Sequence, residues 1–251
     1  MTMHYSVAYY IFIISSIIIL KSYGKEKTEQ NLGVFFFIIG SLVNYLEWYA
    51  QPLLTLGMPM VFLCMLWIKD NQPLIKQFIQ FIKLSLTWTA GYCFTWVSKW
   101  ILGSIILKRN IVAEATGRVE MYKEFSGFSL QAVLYCIRVN LDGWICIFKK
   151  SPKGKYLVVE IALILFLVIY YKYLKGYNID KEKLFKSMHK CLCLFMVALY
   201  PFVWCIADTG HTIWHQWWCF RLFMITFCAI GYICMYVYKN SRGHKLGNDA
   251  T

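Results

Sequence analysis

The stretch Tyr200-Pro201-Phe202-Val203-Trp204-Cys205-Ile206-Ala207-Asp208-Thr209-Gly210-His211-Thr212-Ile213-Trp214-His215-Gln216-Trp217-Trp218-Cys219-Phe220-Arg221 sets an Asp, two His and an Arg between two long apolar runs. The i, i+4 spacing of His211 and His215 places both imidazoles on one helical face, and Asp208 joins that face if the helix begins early. Two imidazoles and a carboxylate form a donor set that can bind a divalent transition metal. The same groups can hold a polar ligand through hydrogen bonds. A third reading is plain anchoring, because Trp214, Trp217 and Trp218 are the residues expected where a helix leaves a bilayer. Arg221, at the start of the next apolar run, must snorkel or pair; Asp208 or an anionic ligand would satisfy it. Its planar fork suits phosphate, to which it can donate two hydrogen bonds. The chain contains no HExxH, so a zinc-protease reading has no support.

Three other polar residues lie in or beside apolar runs. Lys99, within Trp96-Val97-Ser98-Lys99-Trp100, sits deep enough to need water or a partner. Glu47 stands near a tight turn and Glu160 within an apolar run. Lys108, Arg109, Arg118, Lys123, Lys149, Lys150, Lys153 and Lys155 fall in polar segments, as a solvated surface or as a partner for anionic lipid.

The elements that must position these groups are helices crossing a membrane. Hydrophobic residues make up 59% of the 251 and charged residues only 16%, against about a quarter charged in a typical soluble domain. The apolar residues collect in runs approaching the roughly 20 needed for a spanning helix, without the alternation of a membrane barrel. The net charge of +13 resides largely in short segments between these runs, which topology explains better than nucleic-acid binding. The ten Cys are scattered through apolar runs, where a thiol acts as a small hydrophobe. Cys191-Leu192-Cys193 has no second pair at ligand spacing, so neither a metal knuckle nor a disulfide framework is expected. No cleavable signal peptide is expected at the start, because no Lys or Arg precedes the first run.

The expected architecture is all-α: a polytopic helical membrane protein with about seven transmembrane helices plus an interfacial or re-entrant segment. The expected spans are 5–20, 32–49, 52–68, 84–107, 156–171, 191–207 and 220–238. An amphipathic piece over 74–82 leads into the fourth, and 128–148, broken by Arg138, Asn140 and Asp142, is the interfacial element. The whole of 1–251 reads as one transmembrane domain ending in a polar cytoplasmic tail over 239–251. The segments with Lys21, Lys69, Lys172 to Lys190 and the tail share one side and hold clearly more Lys and Arg than the other side. The positive-inside rule therefore puts that side in the cytoplasm and the amino terminus outside. The expected localisation is the cell membrane, multi-pass.

Three segments carry a resemblance. Phe36 to Leu63 contains Ile39-Gly40-Ser41-Leu42 and Glu47-Trp48-Tyr49-Ala50-Gln51-Pro52-Leu53-Leu54-Thr55-Leu56-Gly57-Met58-Pro59. Gly91 to Leu107 contains the Ser98-Lys99-Trp100 element, and the third is Tyr200 to Arg221. In that order they resemble the carboxyl-terminal half of polytopic bacterial membrane proteins of surface-polysaccharide assembly, which are similar to glycosyltransferases of the C-type membrane fold. The resemblance implies a polyprenyl-phosphate sugar and an acceptor glycan at the outer face. It implies that Lys99 and Arg221 hold phosphate while His211 and His215, with Asp208 beside them, orient sugar hydroxyls or the leaving phosphate. Glu47 is the carboxylate it offers as a catalytic base. Relatives tend to have Asn-His-Ser where this chain has Gly210-His211-Thr212, and Tyr where it has Phe220. They generally carry their catalytic acid in a long first outer loop. A truncated or split form that needs a partner membrane chain is therefore the expectation. The alternative from a different class is a non-enzymatic transporter or scaffold subunit of a polysaccharide export system.

Overall fold

The computed structural model describes residues 7–46, 51–126, 129–146 and 177–245. The expected fifth span, Glu47, Glu160 and the basic turn over 149–155 lie outside the described residues. The described chain is helical apart from one short ribbon. Four helices come first: α1 (Val7–Ser22), α2 (Glu26–Leu46), α3 (Leu54–Lys69) and α4 (Leu74–Leu107). They match the first four expected spans to within a few residues, except that α2 begins six residues early. The amphipathic piece at 74–82 and the span after it form one continuous helix. Next come α5 (Ile111–Ser126) and α6 (Leu130–Cys146). After the gap follow α7 (Lys181–Lys190), α8 (Leu192–Ala198), α9 (Tyr200–Ala207), α10 (Thr209–Trp214) and α11 (Gln216–Cys219). A 3-10 turn (Phe220–Phe223) then leads into α12 (Met224–Ser241). Strand β1 (Tyr177–Ile179) pairs antiparallel with β2 (Arg242–Lys245), Tyr177 facing Lys245 and Ile179 facing Arg242.

Helix α3 is the centre. Leu54, Met60, Leu63, Cys64, Trp67 and Ile68 are all buried, which is the signature of a helix apolar on every side and enclosed by others. Around it stand α1, α2, α4, α8 and α12. The largest helix pair is α2 with α4, which run parallel: Gly33 approaches Lys83 and Thr87, and Gly40 approaches Trp88 and Tyr92. A Cβ built on Gly40 would overlap the carbonyl of Trp88, and one on Gly91 the carbonyl of Phe37. Backbone therefore meets backbone, the small-residue packing that membrane helices favour. Ser41 Oγ donates to Gly91 O at 3.1 Å across the same contact. Buried polar links tie in the rest. Trp88 Nε1 donates to Thr55 Oγ1 at 3.1 Å, Ser85 Oγ and Tyr200 OH are 2.6 Å apart, and Thr226 Oγ1 donates to Ala198 O at 2.7 Å.

The outside of the bundle carries many large apolar side chains. Tyr10, Ile14, Val34, Ile38, Leu86, Phe94, Ile105 and Met235 are each more than half exposed. A soluble domain would not leave such a continuous apolar surface to water. Two helical stretches, Leu74–Leu107 and Phe220–Ser241, are long and apolar enough to cross a membrane, with only 11% and 22% of their apolar windows buried inside the protein. A third crossing results if Lys181–Lys190 and Leu192–Ala207, bent by 58°, are taken as one span. The apolar stretches Val7–Ser22, Asn31–Leu46 and Leu54–Lys69 are shorter. Seven crossings are thus an expectation that the described helices meet only in part.

Two polar segments that read as loops are helical. α5 occupies the mixed-charge segment after α4: Asn110 Oδ1 accepts from Ala113 N at 3.0 Å as its N-cap, and Arg109 pairs with Glu114 at 3.3 Å. α7 occupies the basic segment before the sixth expected span, capped by Asp180, whose Oδ1 accepts from Glu182 N and Lys183 N at 3.0 and 3.1 Å.

Gly91→Val is expected to destabilise the bundle by about 3 kcal/mol or more, because a backbone carbonyl cannot move aside as a flexible side chain can. Gly231→Ala, where the added methyl meets nothing within 4 Å, is expected to be neutral or to stabilise by up to about 1 kcal/mol. Thermal unfolding followed by tryptophan fluorescence in one detergent checks both.

Candidate functional site

The chain reaches the site along α8 and α9, which meet at Leu199, two residues before Pro201. After α9 the backbone descends through three short pieces, α10, α11 and the 3-10 turn, before α12 begins. Asp208 and His215 are the breaks between these pieces, with φ/ψ of −135/50° and −110/30°. The helix thus breaks at His215, yet the rings of His211 and His215 remain adjacent, with centroids 4.5 Å apart and planes tilted by 51°. His211 Nδ1 lies 3.3 Å from Asp208 Oδ2, an electrostatic contact whose alignment falls short of a hydrogen bond. His211 is buried, Asp208 largely so, and His215 is half-buried.

The packing beneath this triad comes from α6. Its buried face, Val133, Cys136 and Asn140, repeats at three- and four-residue intervals and lies against α9, α10, α11 and the 3-10 turn. Gly143 lets Phe220 approach so closely that a Cβ would fall 2.6 Å from the Phe220 Cβ. Asn140 Nδ2 donates to Cys136 O at 2.8 Å, while its fully buried Oδ1 has no hydrogen-bond partner among the described residues. Thr212 Oγ1, also buried, has none either. Asn140 and Thr212 were not among the residues expected to matter, and the buried-face spacing over 133–140 is the signal that could have marked Asn140. Arg138 points outward, and Arg138 and Asp142 make no ion pair with each other among the described residues.

Arg221 does not pair with Asp208. Its guanidinium carbon sits 5.1 Å from the Trp218 ring centre, 5.5 Å from that of Phe220 and 6.0 Å from that of Tyr9. Aromatic faces hold a guanidinium there through their quadrupoles without neutralising it. Tyr9 also ties this corner to the amino-terminal end of α1.

Lys99 lies elsewhere on the same end of the bundle. Its ammonium donates to Asn44 O and, at 3.4 Å, to Tyr45 O, and lies 5.6 Å from the Tyr45 ring centre. These carbonyls belong to the last turn of α2, so the lysine caps the negative end of that helix. The structure therefore brings Asp208, His211 and His215 into one cluster with Arg221 close by in the chain, and gives Lys99 a separate structural partner. Glu47 lies outside the described residues. No group of three His, Cys, Asp or Glu side chains among the described residues is arranged to hold a metal ion. No disulfide forms among them either.

His215 lies outside the spanning segments, and its pKa is lowered: burial disfavours its charged form first, neighbouring His211 adds to this, and the Asp208 carboxylate opposes it. A histidine whose folded pKa is depressed stabilises the fold in its neutral state. That stability is full above the unfolded value near 6.5 and declines as pH falls from there to the folded pKa.

No family model matches this chain, and neither the curated proteins nor the solved structures contain a match.

Two outcomes follow. Unfolding temperature should fall as pH drops below about 6.5, and His215→Gln should flatten that slope. Lys99→Ala should lower stability by about 1–2 kcal/mol through the lost α2 cap, read as a drop in unfolding temperature that Lys99→Arg largely restores.

Proposed function

We propose that this chain is a multi-pass protein of the cell membrane, glycosyltransferase-like, that handles polyprenyl-phosphate-linked sugars in surface-polysaccharide assembly. The observation that carries the reading is the grouping, at one end of an apolar-surfaced bundle, of a paired Asp208–His211, a second imidazole at 4.5 Å and a guanidinium held among aromatic rings. Among the described residues no carboxylate pairs with Arg221, and the aromatic faces that hold it leave its fork for a phosphate. His211 and His215 supply hydrogen bonds to sugar hydroxyls or to the leaving phosphate. Lys99 drops out of the phosphate-binding set in this reading, since its donors already face the carbonyls of α2. Charge placement supports an outward-facing site: α1, α3 and α12 end, and α2 and α4 begin, on the side with Lys21, Lys25, Lys69, Lys76 and Lys239, the side the positive-inside rule assigns to the cytoplasm.

A second reading, a non-enzymatic transporter or scaffold subunit of an export system, is favoured by one observation. The carboxylate of the cluster, Asp208, is only 21% exposed, with His211 Nδ1 3.3 Å away, which leaves a catalytic base little access to an acceptor hydroxyl.

Binding and turnover separate the two. Purified protein incubated with a polyprenyl-phosphate sugar should retain it in native mass spectrometry, and Arg221→Ala and His211→Ala should each weaken retention by about tenfold, the loss of a charged hydrogen bond. Their unfolding temperatures serve as the folding control. Sugar transfer to an acceptor glycan supports the enzyme, and retention without transfer supports the subunit. Wild-type protein that fails to retain the lipid, or retention unchanged in both variants, would sink the assignment.

A further inference from the structure

We propose that α7 is an interfacial helix that holds the lysine-rich end of the bundle against anionic lipid headgroups. The proposal rests on the membrane reading but not on any sugar-handling role, because α7 lies at the opposite end from His211 and Arg221. The helix shows three faces. Ser187 is buried and Leu184 half-buried, toward α8 and α12. Phe185 and Met188, beside that face, are 74% and 56% exposed. Lys183 and Lys186, with Glu182, occupy the outer arc and are exposed. An exposed phenylalanine and methionine flanked by lysines suit the boundary between acyl chains and headgroups better than water or hydrocarbon alone.

The bend makes the same point. α7 departs by 58° from the line of α8 and α9, so it turns away from the bundle axis where the apolar run ends. Lys190, at the bend, donates to Asn71 Oδ1 and fixes α7 to the loop that follows α3. The charges around it are mostly positive. Lys181, Lys183, Lys186 and Lys190 lie on the helix, and Lys21, Lys25, Lys27, Lys69, Lys76 and Lys239 at the same end, against Glu26, Glu29, Asp70, Asp180 and Glu182. Asp180 is occupied as the helix N-cap and pairs with Lys183 at 3.4 Å, and among the described residues Lys181 and Lys186 pair with no carboxylate. Anionic headgroups are the complementary surface. Each lysine near such a surface strengthens attachment by roughly fivefold.

The test uses the full chain in detergent, titrated with phosphatidylglycerol or phosphatidylcholine while its unfolding temperature is followed. Phosphatidylglycerol should stabilise it more than phosphatidylcholine, and salt should erase the difference. K181Q/K186Q should weaken the phosphatidylglycerol effect by roughly tenfold or more, with an unchanged unfolding temperature in phosphatidylcholine. Glu182→Lys should shift the preference the other way. A wild-type protein stabilised equally by both lipids, or a K181Q/K186Q variant that keeps the full preference, overturns the proposal. Resistance of the wild type to extraction from membranes by alkaline carbonate reports on the membrane reading separately.

Discussion

The contact on which the rest of the bundle depends is the backbone approach of α2 and α4 at Gly40 and Gly91. Side chains as small as a methyl would separate the two helices. With them separated, Ser41 would lose Gly91 O, Trp88 would be drawn off Thr55, and Lys99 would no longer reach Asn44 and Tyr45. Packing of this kind gains little from the hydrophobic effect inside a lipid solvent, where alkyl chains surround every face alike. It gains instead from close van der Waals fit and from hydrogen bonds shielded from water. This explains why the tightest helix pair is built on glycines and not on leucines.

The polar residues follow a related logic. Each polar side chain finds a contact of low cost. Lys99 takes helix carbonyls, Arg221 takes aromatic faces, and His211 takes the carboxylate three residues before it. The first is complete as structure. Arg221 leaves functional capacity behind, since a guanidinium held over aromatic faces still has its N–H donors. That difference separates the candidate site from the scaffold.

Much of the helical frame is legible in the sequence, because apolar run length is a strong signal: α1, α3 and α4 end within a few residues of the runs that specify them. The elements missed are those whose signal is local and polar. α5 depends on an Asn110 cap and an Arg109–Glu114 pair, and α7 on Asp180, none of which alters the apolar pattern. The site divides in the same way. The adjacency of His211 and His215 is readable from a spacing of four residues, and survives even though the helix breaks at His215. The partner of Lys99 lies 55 residues away in sequence, and the cage of Arg221 includes Tyr9 from the other end of the chain, so neither could be read from spacing. Asp208 was open to two cations, and only the fold selects His211.

The lengths of the helices have a consequence for where such a bundle can reside. α1 and α3 are 16 residues each, as is the apolar Asn31–Leu46 part of α2. At 1.5 Å per residue each is about 24 Å long. In α4 the uncharged interval between Lys83 and Lys99 is 16 steps, again about 24 Å. A typical hydrocarbon layer is about 30 Å thick. A hydrocarbon layer of that thickness exceeds the length of these helices, so crossing it would require local thinning of the bilayer or stretched flanking side chains, at a mismatch energy that grows with membrane thickness.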